Sequence, residues 1–173
     1  MGASFAHVSP GPGCGDKGEL RRALGQFPTG VALVTASDAE GNPVGVLVNS
    51  FTSLSLDPPL VLWCLAASSR SAQVLRSASS FAVNLLAADQ RQMLELASRP
   101  PQQRFDGVTH VRGAAGAPLI EGAAAQFECE TISIHPGGDH SIIVGRICRY
   151  RRRDAEPLAF LAGRYGRFHE NHR

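Results

Sequence analysis

The chain has 173 residues and a mass of 18.4 kDa, the size of one domain, and its 43% hydrophobic content supplies a single core, which excludes wholesale disorder. Seventeen basic against 15 acidic side chains leave a net charge of +2 and a pI near 8.5, too mild for nucleic acid or an anionic membrane to be the main partner. Charged residues make up 18%, below the roughly 25% of an ordinary soluble domain, as in chains that cover part of their surface with a second copy.

Residues 1–15 are small, polar and rich in proline and glycine, as in a disordered tail, and lack the basic opening and apolar run of a secretory signal. Asp16 and Glu19 have capping-box spacing, and Leu20, Ala23, Leu24 and Phe27 share one helical face before Pro28. The pattern predicts a short amphipathic helix packed against the body. Residues 31–37 and 44–49 are short β-branched runs flanking the turn cluster 38–43, and they predict a hairpin. A third strand is expected over 60–65, after the break at Asp57, Pro58 and Pro59. A short helix over 69–77 follows, with Ala72, Val74, Leu75 and Ala78 as its apolar side. Next come a strand over 81–86 and a second short helix over 89–97, capped by Asp89.

Further on, residues 108–111 read as a small strand. Between 125 and 135, Phe127, Cys129, Thr131, Ser133 and His135 alternate with Glu128, Glu130, Ile132 and Ile134. The turn at Pro136, Gly137, Gly138 and Asp139 then leads into 140–150, giving a second, long hairpin. Residues 157–167 mix a short apolar run with an aromatic, Tyr165, between Gly163 and Gly166. Six or seven strands, with too few helices to alternate with them, predict a mainly β fold: a closed antiparallel barrel with a few short flanking helices. The expected organisation is a tail over 1–15 and one domain over 16–173.

Cys14, Cys64, Cys129 and Cys148 have no metal or redox spacing, so no metal site is spelled out and reduced, mostly buried thiols are expected. Nothing approaches the ~18 apolar residues of a membrane span. A soluble, cytoplasmic protein is expected. Gly13, Gly15 and Gly18 imitate a dinucleotide fingerprint, with Asp38 at the right distance. Ser9, Pro10, Gly11 and Pro12 before them cannot form the strand that such a site needs.

Several motifs admit two readings each. Residues 49–55 are hydroxyl-rich and follow a strand; they are turn serines, or they hold a phosphate or the polar rim of a planar ring. Ser68, Ser69, Arg70 and Ser71 open a predicted helix, as ordinary caps or as a phosphate site. Gly138, Asp139 and His140 are a plain turn, or they aim a histidine at a ligand. Asp139, His140 and Ser141 cannot form a hydrolase triad, because neighbours in an extended chain face opposite ways. Arg149, Arg151, Arg152 and Arg153 form a solvated face or a surface for an adenosine phosphate or partner. Tyr165 covers a ligand or simply packs.

Phe27-Pro28-Thr29-Gly30-Val31, Val48 to Ser53 with Asp57-Pro58-Pro59, Phe81 to Leu86 with Asp89-Gln90, Arg104-Phe105 and Gly138-Asp139-His140 stand in one order. That ordered set resembles the short-chain flavin reductase family, from about Arg21 to Phe168. The resemblance implies a Greek-key, FMN-binding split β-barrel, usually a homodimer with flavin near the interface. It further implies an NAD(P)H:flavin oxidoreductase (EC 1.5.1 type) that reduces FMN or FAD with NADH or NADPH, and many such proteins supply a separate monooxygenase. Two alternatives remain: a split-barrel flavoprotein using bound FMN on another substrate, and a non-enzymatic flavin-binding module.

Carried over by position, the resemblance places Thr29, Asn49, Ser50, Thr52 and Ser53 around the flavin ring and ribityl chain. Ser68, Ser69, Arg70 and Ser71 would take the phosphate, and Asn84, Leu85 and Gln90 would lie near the flavin or its tail. His140, with Gly138 and Asp139, would contact the nicotinamide nucleotide, and Tyr165 would lie near that pocket. Ala66 and Ala67 depart from the pattern where relatives often carry a polar or basic residue, which leaves FMN against FAD open. Hydride transfer fits the absence of a paired-carboxylate or nucleophile signature, because the protein need only stack and orient the rings.

Overall fold

The computed structural model describes residues 16–169, so the expected tail over 1–15 and the first glycines of the false fingerprint lie outside the described residues. The first hairpin forms as predicted from β2 (Ala32–Ser37) and β3 (Pro43–Val48). Its turn is closed by the Asp38 carboxylate, which accepts from the backbone N–H of Asn42 at 2.7 Å and of Glu40 at 3.1 Å. The side chain of Asn42 also donates to it, and this bond leads the causes that lower the Asp38 pKa.

β2 continues into a sheet with β6 (Ser80–Leu85), β9 (Ala125–Gly137), β10 (His140–Arg152), β5 (Pro59–Ala66) and β4 (Thr52–Leu56). The seven strands run in the order β3-β2-β6-β9-β10-β5-β4, and every pair is antiparallel. No ladder joins the outermost strands. Instead β3 draws up to β5, and α2 (Ala72–Ser77) packs across the opening against β2 and β3. The result is a barrel with a split wall.

Alternation explains which side chains fill it. Ala32, Val34 and Ala36 point inward with Trp63, Leu75, Phe81, Val83 and Ile143, all buried. Val31 and Leu33 point outward, yet they too are buried, against Leu86, Leu96, Phe105, Ile120 and Leu158. Each such side chain contributes roughly 1.5–3 kcal/mol on burial. β2 is therefore buried on both faces because a second layer covers it. Gly145, inside the barrel on β10, allows the closest approach: a Cβ there would meet Phe81 Cε1 at 2.8 Å and Cys129 Cβ at 3.2 Å.

Several expectations change. The N-terminal helix, α1 (Lys17–Leu24), is capped by Asp16, whose carboxylate accepts from Gly18 N at 2.8 Å. Glu19 does not complete the box; it pairs with Arg22. The apolar face of α1 is not packed down either, since Leu20, Leu24 and Phe27 are exposed. Residues 89–97 form a 3-10 helix over Arg91–Ala97, and Asp89 lies 3.6 Å from Arg153 instead of capping it. The small strand expected at 108–111 sits at His110–Arg112 (β7) and pairs with Pro118–Ile120 (β8). A three-stranded sheet of Thr29–Gly30 (β1), Leu158–Leu161 (β11) and Arg164–Arg167 (β12) is also present.

In the long hairpin the register slips twice, once between Val144 and Gly145 and once between Ile147 and Arg149. Local charge in the sequence does not forecast such bulges. Among the described cysteines, Cys129 is buried, Cys64 is half-buried and Cys148 is exposed, and all three are free thiols. No described helix is long and apolar enough to cross a membrane.

Candidate functional site

β5 organises the candidate site along its length and at its C-terminal end. Ser50, in the link between β3 and β4, is pinned to it: its Oγ accepts from Cys64 N at 2.9 Å. Thr52 and Ser53 pair with Leu62 and Val61. Their side chains and that of Asn49 are exposed. At the end of β5, Ala66 lies opposite His140, the first residue of β10. The next amide, Ala67 N, donates to Asp139 O at 2.9 Å. That bond holds the Gly-Asp-His turn against the segment that runs straight into Ser68.

The turn itself is a two-residue loop between the paired residues Gly137 and His140, and Gly138 adopts φ +70°, a backbone state that suits glycine. His140 Nδ1 lies 2.6 Å from Asp139 Oδ1. The hydrogen bond from the ring, followed by its charge, lowers the Asp139 pKa. With Nδ1 turned to the carboxylate, Nε2 is the ring atom left for a ligand.

The residues that follow Ala67, namely Ser68, Ser69 and Arg70, line a cleft of about 220 Å³ together with Leu47, Leu96 and Arg104. Arg104, quoted above only within the Arg104-Phe105 motif, is a cleft residue to which the sequence reading gave no role. It is buried, and it donates to Leu96 O at 2.9 Å, Gly45 O at 2.7 Å and Ser71 Oγ at 3.0 Å. Its strong partners are carbonyls and a hydroxyl, so its charge is not neutralised by any carboxylate among the described residues. Burial, then the nearby charge of Arg70, lowers its pKa. Two guanidinium groups at one hydroxyl-lined cleft form a site for an anion. The sequence signal for Arg104 was its place in the Arg104-Phe105 motif of the ordered set.

The predicted residues divide into groups. His140, Asp139, Gly138, Ser50, Thr52, Ser53, Ser68, Ser69 and Arg70 cluster on β5 and its continuation. Ser71 is drawn inward instead: it is 2% exposed, and its Oγ donates to Gly45 O and accepts from Arg104. It braces the cleft from behind. α2 has only six residues and no side-chain cap, so the anion site rests on side chains rather than a helix terminus. Thr29 pairs with Phe160, whose ring lies 5.1 Å from that of Tyr165, which places these two predicted residues together on the small sheet. Thr29 Oγ1 is buried with no hydrogen-bond partner among the described residues.

Asn84, Leu85 and Gln90 do not line this cleft. Asn84 is fully buried; its Oδ1 accepts from Ile120 N at 2.8 Å and Gln126 Nε2 at 2.6 Å, and its Nδ2 donates to Leu33 O at 3.1 Å. Leu85 packs on the barrel core. Gln90 bridges Ala87 N and Glu121 O. The polar atoms of Asn84 and Gln90 are engaged in holding strands and loops together. In the basic run, the Arg151 guanidinium is bonded to Gln126, and Arg153 lies near Asp89. That run is a partly paired outer face.

A split barrel that gathers hydroxyls, a turn-borne histidine and two guanidinium groups at one rim defines a nucleotide-cofactor-binding barrel. Residues 24–169 match the flavin reductase like domain, and the chain belongs to that family. The chain is 45% identical over 157 residues to FMN reductase (NADH) SmoA of Agrobacterium fabrum, covering 91% of this chain and 89% of that protein. With a probable flavin reductase of Rhizobium meliloti it shares 45% identity over 150 residues, covering 87% of this chain but spanning only 48% of that longer relative. Among solved structures, the NADH:FAD oxidoreductase SgcE6 of Streptomyces globisporus superposes with a TM-score of 0.88 at 37% identity, covering 100% of this chain and 97% of that one.

The residues present fit a flavin nucleotide. The serine and arginine cleft matches a phosphate, the exposed hydroxyls match the polar rim of the ring, and the orphaned Thr29 hydroxyl needs an acceptor or donor that the described residues do not provide.

Proposed function

We propose that this chain is an NADH:flavin oxidoreductase of the EC 1.5.1 type, a single split-barrel domain over 16–173 that reduces FMN or FAD and passes the product to a partner monooxygenase in the cytoplasm. The observation that carries the reading is the bond from Ala67 N to Asp139 O, which ties the turn bearing His140 to the segment that runs into Ser68, Ser69 and Arg70. Flavin, when bound, supplies the hydride-accepting ring. Ser68, Ser69 and Arg70 hold its phosphate, with Arg104 as the buried counter-charge. Asn49, Thr52 and Ser53 take the ring's polar edge, Ser50 fixes the loop that carries them, and Thr29 closes the far side near Tyr165.

His140 orients the nicotinamide nucleotide through Nε2 while Asp139 holds Nδ1. Positioning of this kind accounts for the rate without a strongly shifted acid–base pair. Relatives bear names consistent with the oxygenase role, including the reductase subunit HsaB of a flavin-dependent monooxygenase in Rhodococcus jostii. Leu56, 92% exposed beside exposed Leu54 on the edge strand β4, supports a homodimer that covers this edge.

The test mixes purified protein with NADH or NADPH and FMN, and follows loss of the reduced nicotinamide absorbance. Turnover is expected, and His140→Ala should lower kcat/KM for the nicotinamide by at least roughly tenfold, the scale of one lost polar contact to a reactant. Failure to oxidise either nucleotide with any flavin overturns the reading.

A further inference from the structure

Three stretches of chain line the serine and arginine cleft: Val46 and Leu47 of β3, the segment from Ser68 to Arg70, and Leu96 and Ala97 of the 3-10 helix. One side chain is bonded to the elements that carry all three. Arg104 Nη1 donates to Gly45 O of β3 at 2.7 Å and to Ser71 Oγ, directly after Arg70, at 3.0 Å. Its Nε donates to Leu96 O at 2.9 Å, and Nη2 makes only a long bond, 3.4 Å to Arg99 O. A guanidinium carries five N–H groups, so one hydrogen on Nη2 has no acceptor among the described residues.

Every one of these acceptors is neutral, and the residues lining the cleft include no carboxylate. The carbonyls replace lost water without cancelling the charge. Arg104 is 7% exposed, whereas Arg70 is exposed. Water and salt screen a cation placed like Arg70, while a buried one keeps far more of its field. In the empty cleft that field costs stability, and the nearby charge of Arg70 adds repulsion. A phosphate group offsets both penalties. The same flavin without its phosphate offsets neither.

We propose that Arg104 is the specificity-determining residue of this cleft: its buried, uncompensated charge makes the enzyme select phosphorylated flavins over riboflavin. Arg70 makes the exposed contact, while Arg104 supplies the unscreened charge behind it and holds the three walls together. The selection is expressed in binding and not in the hydride step, because Asn49, Thr52 and Ser53 meet the same ring in both flavins. This rests on the flavin reductase reading.

The test uses the full chain with FMN and riboflavin, which share the ring and ribityl chain and differ only in the phosphate. Dissociation constants come from fluorescence quenching. Anion recognition without flavin is read from the Tm in inorganic phosphate against sodium chloride of equal ionic strength. Arg104→Lys keeps the charge and Arg104→Gln keeps donors without it; both lose part of the fork, and only one loses the cation. The wild type should bind FMN at least roughly tenfold more tightly than riboflavin. Arg104→Gln should bring the two constants within about twofold by weakening FMN alone, and should lose the rise in Tm that phosphate gives the wild type. Arg104→Lys should keep most of the preference, and Arg70→Gln, at an exposed position, should keep at least roughly threefold. Equal affinity of the wild type for both flavins overturns the proposal whether or not the variants fold. Equal weakening of FMN and riboflavin by both Arg104 variants also overturns it, because Arg104 is then scaffold alone. Loss of the whole preference in Arg70→Gln gives the selection to Arg70, with the same consequence. Absence of NADH oxidation with either flavin overturns the reductase reading itself and leaves the phosphate effect on Tm as it stands.

Discussion

Replacing Asn84 by leucine separates scaffold from site. The substitution removes the carbonyl that accepts from Ile120 N and Gln126 Nε2, and the amide that donates to Leu33 O, Thr35 Oγ1 and Pro118 O. Gln126 keeps Ile120 O as an acceptor at 2.9 Å, and Thr35 keeps Pro118 O at 2.6 Å. Ile120 N–H is left unpaired at a fully buried residue, costing about 1–3 kcal/mol, and the weakened bonds around it add about 1 kcal/mol. A total of roughly 2–4 kcal/mol corresponds to a Tm lower by roughly 4–16 °C for a domain of this size. Urea melts read the loss as a lower midpoint at unchanged slope. FMN affinity, measured by quenching at a temperature where both proteins are folded, should stay within about twofold. A variant as stable as the parent that fails to bind FMN would refute the assignment of Asn84 to the scaffold.

Gly145→Ala drives a methyl group into Phe81 and Cys129, and should cost about 1–3 kcal/mol by urea unfolding. A neutral outcome means that Phe81 can move aside. Thr29→Val removes a buried hydroxyl that has no partner among the described residues, so thermal stability without ligand should hold or rise while flavin affinity falls by roughly fivefold to tenfold, a pairing that melts and quenching titrations check together. Burial pushes the Cys129 thiol up to about 12, whereas an unfolded cysteine ionises near ~8.5. The unfolded chain then loses its proton first, so the contribution of this thiol is complete below pH ~8.5 and is lost as pH rises toward 12. Cys129→Ala should show a shallower alkaline decline in its urea midpoint; an identical decline counts against it.

The β-hairpins were legible because each had a local cause. The turn at 38–43 and the Gly137–Gly138–Asp139 turn carry their own conformational instructions, and β2 and β5 carry the apolar pattern of buried strands. The N-terminal helix was legible as a helix but not in its packing, since an apolar stripe says what a face seeks and not whether the same chain supplies a cover. The 3-10 turn of Arg91–Ala97 buries Leu96 in the same cluster as Leu33, residues far apart in sequence. At the site, residue type pointed to Ser68, Ser69, Arg70 and His140 because their hydroxyls and charges stand in turns. The hydrogen bonds that Asn84 and Gln90 make from a strand and beside a loop are tertiary contacts that no local motif encodes. Arg104 went unassigned for a related reason: its role comes from losing water, which no spacing encodes.

Trp63 is the single tryptophan of the sequence, fully buried and edge-on to Phe81, and its indole N–H has no partner among the described residues. Its light emission therefore comes from the dry interior of the cylinder and from nowhere else on the chain. Opening the cylinder must shift that emission to longer wavelength. A yellow ring seated at the rim, by contrast, can only drain its intensity at constant colour, so one spectrum distinguishes melting from loading without any label.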